Sequence, residues 1–244
     1  MTDTDPSDLG SAFSGSNPDG PAHRGDPLAE QRSMARAAAV VDRGRREVIA
    51  VSGPDRLGWL HLLVTQHVSE LPAGTGTETL VLDANGRVLH HMVVAQASDT
   101  VYLDTEPGAA APLLDYLRKM VFWSKVEVRE ATAELALLSL VGPEADAVLA
   151  AAGVALPDRP HGVRELAGGG LVRRMDWPGR DAADLLVPRD AQVEWWDRLC
   201  AAGARPAGTL AFEALRVEAG RPRLGVDTDD RTIPHEVGHC AVAR

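Results

Sequence analysis

Twice along this chain the apolar pattern reads approximately as strand, helix, strands, helix, strand, and that repetition limits the possible folds more than any single residue does. In the first pass, Glu47 to Ser52 (EVIAVS) reads as a strand. Pro54 opens a helix with Leu57, Leu60, Leu63 and Val64 on one face. Strands at Thr79 to Leu82 and Val88 to Gln96 flank Asp83-Ala-Asn-Gly86, a hairpin turn signal. Val101 to Leu103 is a further strand. Pro107 opens a second helix with Leu113, Leu114, Leu117 and Val121 at helical spacing, and Lys125 to Arg129 alternates like a half-buried strand. In the second pass, Leu135 to Val141 is a strand and Pro143 opens a helix that closes on Gly153. Strands follow at Leu171 to Met175 and Asp184 to Val187. Asp190 caps a helix with Val193, Trp196, Leu199 and Cys200 inward, and Thr209 caps another to about Ala219.

The expected fold class is therefore α+β: two tandem split β-α-β-β-α-β units, packed side by side with a cleft between them. The repeat is one of architecture, with no residue-level repeat beneath it. Residues 1–31, rich in Asp, Ser, Gly and Pro, read as a disordered tail. Residues 32–131 form the first unit and 132–244 the second.

A formal charge of −10 disfavours a general nucleic-acid or anionic-membrane surface. Two cysteines, Cys200 and Cys240, cannot frame a disulfide scaffold, which suits a reducing cytoplasm. No run of 18 apolar residues suggests a membrane span, and no signal peptide opens the chain.

The chemistry concentrates in Arg216-Val-Glu-Ala-Gly-Arg-Pro-Arg-Leu-Gly-Val-Asp-Thr-Asp-Asp-Arg231, a helix end feeding a charged loop broken by Gly220, Pro222 and Gly225. Helical spacing sets Glu218 beside the apolar stripe of its helix, in the last turn, where the macrodipole disfavours a negative charge. A carboxylate there needs a donor. Two roles are open to it: an ion pair with Arg221 or Arg223, or a ligand contact. His90 and His91 are adjacent on one strand, face opposite sides and cannot chelate one ion together, and the ordinary reading buries one of them. His235-Glu-Val-Gly-His239 has the H-E-x-x-H spacing of zinc proteases, but Pro234 and Gly238 oppose the helix that the motif requires. Trp196 reads as core and Trp195 as a surface or interface contact. Arg36, Arg43, Arg45 and Arg46 read as a solvated charge run.

Arg216-Val217-Glu218-Ala219-Gly220 and the residues to Glu236 resemble the R-x-E-x-G-x-P-x-x-G-x-D segment of the YgfZ-like, folate-binding relatives of the glycine-cleavage T-protein. Val51-Ser-Gly-Pro-Asp-Arg-Leu-Gly-Trp-Leu-His61 and Leu82-Asp-Ala-Asn-Gly-Arg-Val-Leu89 agree, so the similarity covers about residues 45 to 238. The resemblance implies the aminomethyltransferase folate-binding fold, tetrahydrofolate as cofactor, and Glu218 as a contact to the pterin N–H donors, with Arg216 and Arg223 as further site residues. From charge alone, and not from the resemblance, Arg221, Arg223 or Arg231 is a candidate partner for the ligand's anionic tail. The resemblance also implies a role in iron–sulfur cluster assembly or repair and in the tRNA modification that depends on it, with iron–sulfur proteins as partners. The T-protein alternative is aminomethyl transfer. Against it, the T-protein hairpin strand carries Asp-Asp where this chain has His90-His91, leaving no catalytic acid. A non-catalytic remnant or interaction module is the third reading. The K-G-C-[YF]-x-G-Q-E hallmark of YgfZ is absent: Cys240 has neither flank. The C-terminal barrel is also absent, so the chain reads as C-terminally truncated.

Overall fold

The alternating strands and the period-3.6 helices sort into two sheets with helices on their outer faces. The structure is a computed structural model that describes residues 20–178 and 181–238. In chain order its elements are α1 (Pro27–Arg36), β1 (Ala39–Asp42), β2 (Glu47–Ser52), α2 (Arg56–His61), β3 (Thr75–Leu82), β4 (Val88–Gln96), β5 (Thr100–Thr105), α3 (Ala110–Lys119) and β6 (Glu127–Glu130). Then come β7 (Leu135–Val141), α4 (Ala145–Ala151), β8 (Val163–Glu165), β9 (Leu171–Met175), β10 (Ala182–Pro188), α5 (Gln192–Ala201), β11 (Arg205–Ala207) and α6 (Thr209–Glu218). A five-stranded sheet has the order β3-β4-β5-β2-β6, and a six-stranded sheet the order β11-β1-β7-β10-β9-β8. Neither closes into a barrel, and the architecture is α+β as expected.

Strand β2 shows how the sequence sorts its faces. Ile49 and Val51 pack with Leu60, Leu113 and Leu117 of the helices α2 and α3. Val48 and Ala50 point the other way, to Leu137, Leu171 and Leu186 of the six-stranded sheet. On that sheet's far face, Leu138, Leu140 and Leu185 pack with Leu149 of α4 and Trp196 and Leu199 of α5. The order of layers is helices, sheet, sheet, helices, and each fully buried Leu contributes roughly 1.5–3 kcal/mol. Glu47 also sets α3: its Oε2 accepts the Ala110 N–H at 2.7 Å, placing a carboxylate at the helix N-terminus.

Several local expectations are corrected. Part of the supposed tail is ordered: Pro27–Arg36 is a helix, capped by Asp26, whose side chain accepts the Leu28 N–H. It is tied down by Glu30, which accepts the Arg24 N–H at 2.7 Å and the Gly208 N–H at 2.8 Å. Strand β1 precedes the first unit's own strands yet pairs with β7 and β11 of the six-stranded sheet. Trp195 is buried in the same cluster as Trp196, with the Arg198 guanidinium 4.7 Å above its ring. Of the arginine run, Arg46 is buried and Arg43 nearly so, while Arg36 and Arg45 stay exposed. Helices α5 and α6 start on Ala191 and Gly208 as caps, so neither Asp190 nor Thr209 caps as expected.

Candidate functional site

Between the sheets, where α6 and its following loop close over them, lies a cavity lined by charged and aromatic side chains. Its centre is Glu78. On β3, residues alternate between faces, and Glu78 shares its side with the neighbouring strand's His91 rather than with the apolar core. Trp177 Nε1 donates to Glu78 Oε1 at 2.7 Å, Arg221 donates to the same oxygen, and His91 Nε2 lies 3.1 Å from Oε2. Burial pushes the Glu78 carboxyl up, but the His91 hydrogen bond, the charges of His91 and Arg221, and the indole N–H outweigh it. The carboxyl is held well below the usual range and is ionised, so His91 Nε2 is the donor.

Around Glu78 stand flat groups. The Trp177 and Phe212 rings meet edge to face with centroids 5.8 Å apart. The Arg43 guanidinium lies 4.4 Å from the Phe212 centroid, and that of Arg221 lies 5.3 Å from the Trp177 centroid. The cavity itself holds about 40 Å³, room for a water or two, because the Arg221 side chain fills the space beside the indole.

The loop after α6 carries the charge of the cavity wall. Arg223 Nε donates to Glu106 Oε2 at 2.7 Å, and Arg46 donates to the other oxygen of the same carboxylate. Burial raises Glu106, the arginines Arg46, Arg43 and Arg223 outweigh it, and its carboxyl falls to about 2. Arg216 donates from Nε to Glu213 at 2.8 Å and from Nη1 to Asp227 at 2.7 Å, and also holds the Arg221 carbonyl. Asp227 in turn accepts the Arg223 N–H at 2.8 Å, so Arg216 fixes the loop that presents Arg221 and Arg223.

Of the residues expected from sequence, Arg216 and Arg223 line this cavity and Glu218 does not. The α6 residues Thr209, Phe212, Glu213 and Arg216 occupy one helical face. Glu218 lies about 200° round the helix from Arg216, at 100° per residue, and is exposed. On the helical wheel Glu218 does fall beside Ala211, one of the buried positions Thr209, Ala211, Phe212 and Arg216, but at the end of the helix it is left exposed and faces away from the cavity. Arg221 and Arg223 reach Glu78 and Glu106. Arg231 does not line the cavity. His91 is buried and His90 half-buried beside Tyr116, on opposite faces of the strand as expected, and burial lowers the His90 pKa. His235 lies in a short 3-10 turn, Pro234–Val237, while His239 and Cys240 lie outside the described residues. Burial and Asp197 push the Cys200 thiol up to about 11, which leaves it a poor nucleophile near neutral pH.

Glu78, Trp177 and Arg43 are the site residues that sequence reasoning missed. The signal for Glu78 was present: a lone carboxylate within a β-branched alternating run, Thr75-Gly-Thr-Glu-Thr79.

The family model for the GCVT N-terminal domain matches residues 24–243. The aminomethyltransferase of Nitrosococcus oceani is 30% identical over 227 residues, covering 90% of this chain and 61% of that protein. The aminomethyltransferase of Stenotrophomonas maltophilia is 29% identical over 234 residues, covering 89% of this chain and 62% of that protein. The chain thus spans about three fifths of the length of these curated relatives. The glycine cleavage system aminomethyltransferase T from Bartonella henselae superposes with a TM-score of 0.78 at 24% identity, over 85% of this chain and 58% of that one, a likeness of fold. The family model spans both sheets and their helices: the chain belongs to the GCVT N-terminal domain family.

Proposed function

We propose that this chain binds tetrahydrofolate in the cavity between its two sheets. The observation that carries the reading is the grouping of Trp177 and Phe212 with Arg43, Arg221 and the ionised Glu78. A pterin is flat and rich in N–H donors, and its conjugated tail is anionic. Aromatic faces suit the ring, a buried carboxylate suits paired N–H donors, and arginines suit the tail. Arg216 and Arg223 belong to this reading as the residues that shape the loop and charge the wall. Glu218 lies outside it, because its helical face is turned away from the cavity.

The donor set fits folate; the cavity as it stands holds about 40 Å³, so entry of the ring requires the Arg221 side chain to swing out. Its side chain is 29% exposed, so the guanidinium has a path to solvent. A flat ring would then take the place beside Trp177 that the guanidinium now fills. Bound folate supplies the one-carbon chemistry. The chain's own residues grip it, orient it against the indole and keep water from its inner edge.

Two roles follow from folate binding. In the YgfZ-like role, the chain serves iron–sulfur cluster assembly and the tRNA modification linked to it. The resemblance of the 216–236 segment supports this role, as does the replacement of the T-protein acids by His90 and His91. In the second role the chain takes part in aminomethyl transfer, which the names of the curated relatives favour. Measuring glycine-cleavage half-reaction turnover separates them: the YgfZ-like role predicts none, and measurable turnover establishes the transferase role. Titration with a reduced-folate analogue tests the binding common to both.

A further inference from the structure

Beside the cavity, a second cluster shares Glu78 with the folate reading and adds two residues that the reading does not use. We propose that Glu78, His161 and Asp176 form a site for one divalent transition-metal ion of the Zn²⁺ class. Glu78 comes from β3, His161 from the loop before β8, and Asp176 from the residue after β9. One ligand atom of each lies within 4.8 Å of the others. One imidazole nitrogen and two carboxylate oxygens are a donor set for a borderline cation, with solvent completing the shell. At metal–ligand distances of about 2.1 Å, tetrahedral ligand atoms stand about 3.4 Å apart, so the three need close by at most about 1.4 Å.

His161 is the reason to read the cluster as a site rather than as a chance approach. It has a positive φ of 56°, the only described non-glycine residue to do so. Its backbone N–H is fixed on the Arg174 carbonyl at 2.8 Å, and the next residue, Gly162, bridges to Thr75 at the head of β3. The strained backbone and these two ties aim the ring at Glu78 and Asp176. The side chain is only 21% exposed, yet its Nδ1 is buried without a hydrogen-bond partner. Its Nε2 is 3.7 Å from Asp176 Oδ1, beyond hydrogen-bond distance. An ion between the three side chains gives Nε2, the nitrogen that faces Asp176, a partner.

The surroundings support the same reading. Trp177 and His91 hold the Glu78 carboxylate in orientation, as outer partners of metal ligands do, and Oε2 carries the His91 contact alone among the described residues. Asp176 is 45% exposed, which gives the ion its entry path. Because Glu78 borders both the cavity and the cluster, the test uses no folate.

The full chain is dialysed against ZnCl₂ at pH 7.5 and bound zinc is measured, with far-ultraviolet circular dichroism confirming the fold of each variant. The expected result is one zinc per chain, held roughly ten-fold or more weakly after Asp176→Asn and after His161→Asn, and unchanged after His235→Ala. The exposed Asp176 makes its variant the safer of the two for folding. No stoichiometric uptake overturns the proposal. So does uptake that survives both cluster substitutions, or that disappears with His235→Ala and therefore belongs to the C-terminal segment.

Discussion

Arg173 of β9 and Asp104 of β5 are hydrogen-bonded across the seam between the two sheets, with side chains 2% and 1% exposed. Arg173 also donates from Nη2 to Asp184 at 2.7 Å, while Arg46 donates from Nε to the second Asp104 oxygen at 2.7 Å. Ser139 supplies a further donor to Asp184 at 2.5 Å. The seam therefore holds a buried ionic network beside an apolar contact, and the network leads through Arg46 and Glu106 to Arg223 at the cavity wall. Burial raises Asp104, and Arg173 and Arg46 outweigh it, keeping its carboxyl well below the usual range.

Removing one partner of such a network leaves a buried charge uncompensated. Asp104→Ala is expected to destabilise the fold by about 3–5 kcal/mol, because both Arg173 and Arg46 lose a carboxylate in a dry setting. Urea unfolding of the two proteins checks this. A loss below about 1 kcal/mol means that the seam is hydrated and the network incidental.

The same network sets an acid limit. Glu106 falls to about 2 in the folded chain, below its ordinary value of 4.5, so its contribution is full above the unfolded value and is lost as pH falls through the folded one. That contribution is on the order of 3 kcal/mol at neutral pH. Asp104 and Glu78 shift in the same direction. Stability should therefore fall between about pH 4.5 and 2, and Glu106→Gln should flatten that part of the profile. Chemical denaturation at a series of pH values gives the slope; identical slopes for the two proteins contradict the assignment.

Gly142, between β7 and α4, has φ +133°, and a Cβ there would stand 2.2 Å from the Ala37 carbonyl oxygen and 2.8 Å from that of Met34. Backbone on the α1 side cannot yield as a flexible side chain would. Gly142→Ala is expected to cost about 2 kcal/mol or more through strain and displacement of α1. A lowered melting temperature, with α1 more open to hydrogen exchange, is the predicted signature. An unchanged melting temperature shows that α1 is loosely held.

Much of this fold was legible because its strands are apolar and its turns are marked. Val88–Gln96 and Leu135–Val141 are long apolar runs beside unambiguous turns, and the Pro-led helices needed only their apolar spacing. Strand β1 was not legible: Ala39–Asp42 is four residues long, buried throughout, and lies against the arginine run. Its partners β7 and β11 are remote in sequence, so no local pattern announces the pairing. Helix α1 was missed because Met34, Ser33 and Glu30 anchor it, two of them polar. At the site, the arginines were legible as charge near a loop, but their partners were not. Arg43 and Arg46 looked solvated because sequence cannot show that Asp104, Glu106 and Asp184 converge on them. Glu218 was favoured by helical spacing from Ala211, Ala214 and Leu215; Ala211 is buried and Leu215 half-buried, but Ala214 is exposed and the helix ends at Glu218, so its carboxylate is left in solvent.

The central claim is that a reduced folate binds between the sheets, against Trp177 and Glu78. Tryptophan fluorescence titration with 5-formyltetrahydrofolate tests it most directly, comparing the natural chain with Trp177→Ala, Glu78→Gln and Glu218→Ala. Saturable one-to-one binding is predicted, weakened roughly ten-fold or more (about 1.4 kcal/mol) by each of the first two substitutions and unchanged by the third. Since Trp177→Ala removes a reporter, isothermal calorimetry supplies its affinity. Absence of binding, or binding that ignores Trp177 and Glu78 but is lost with Glu218, contradicts the account and moves the ligand to the opposite face of α6.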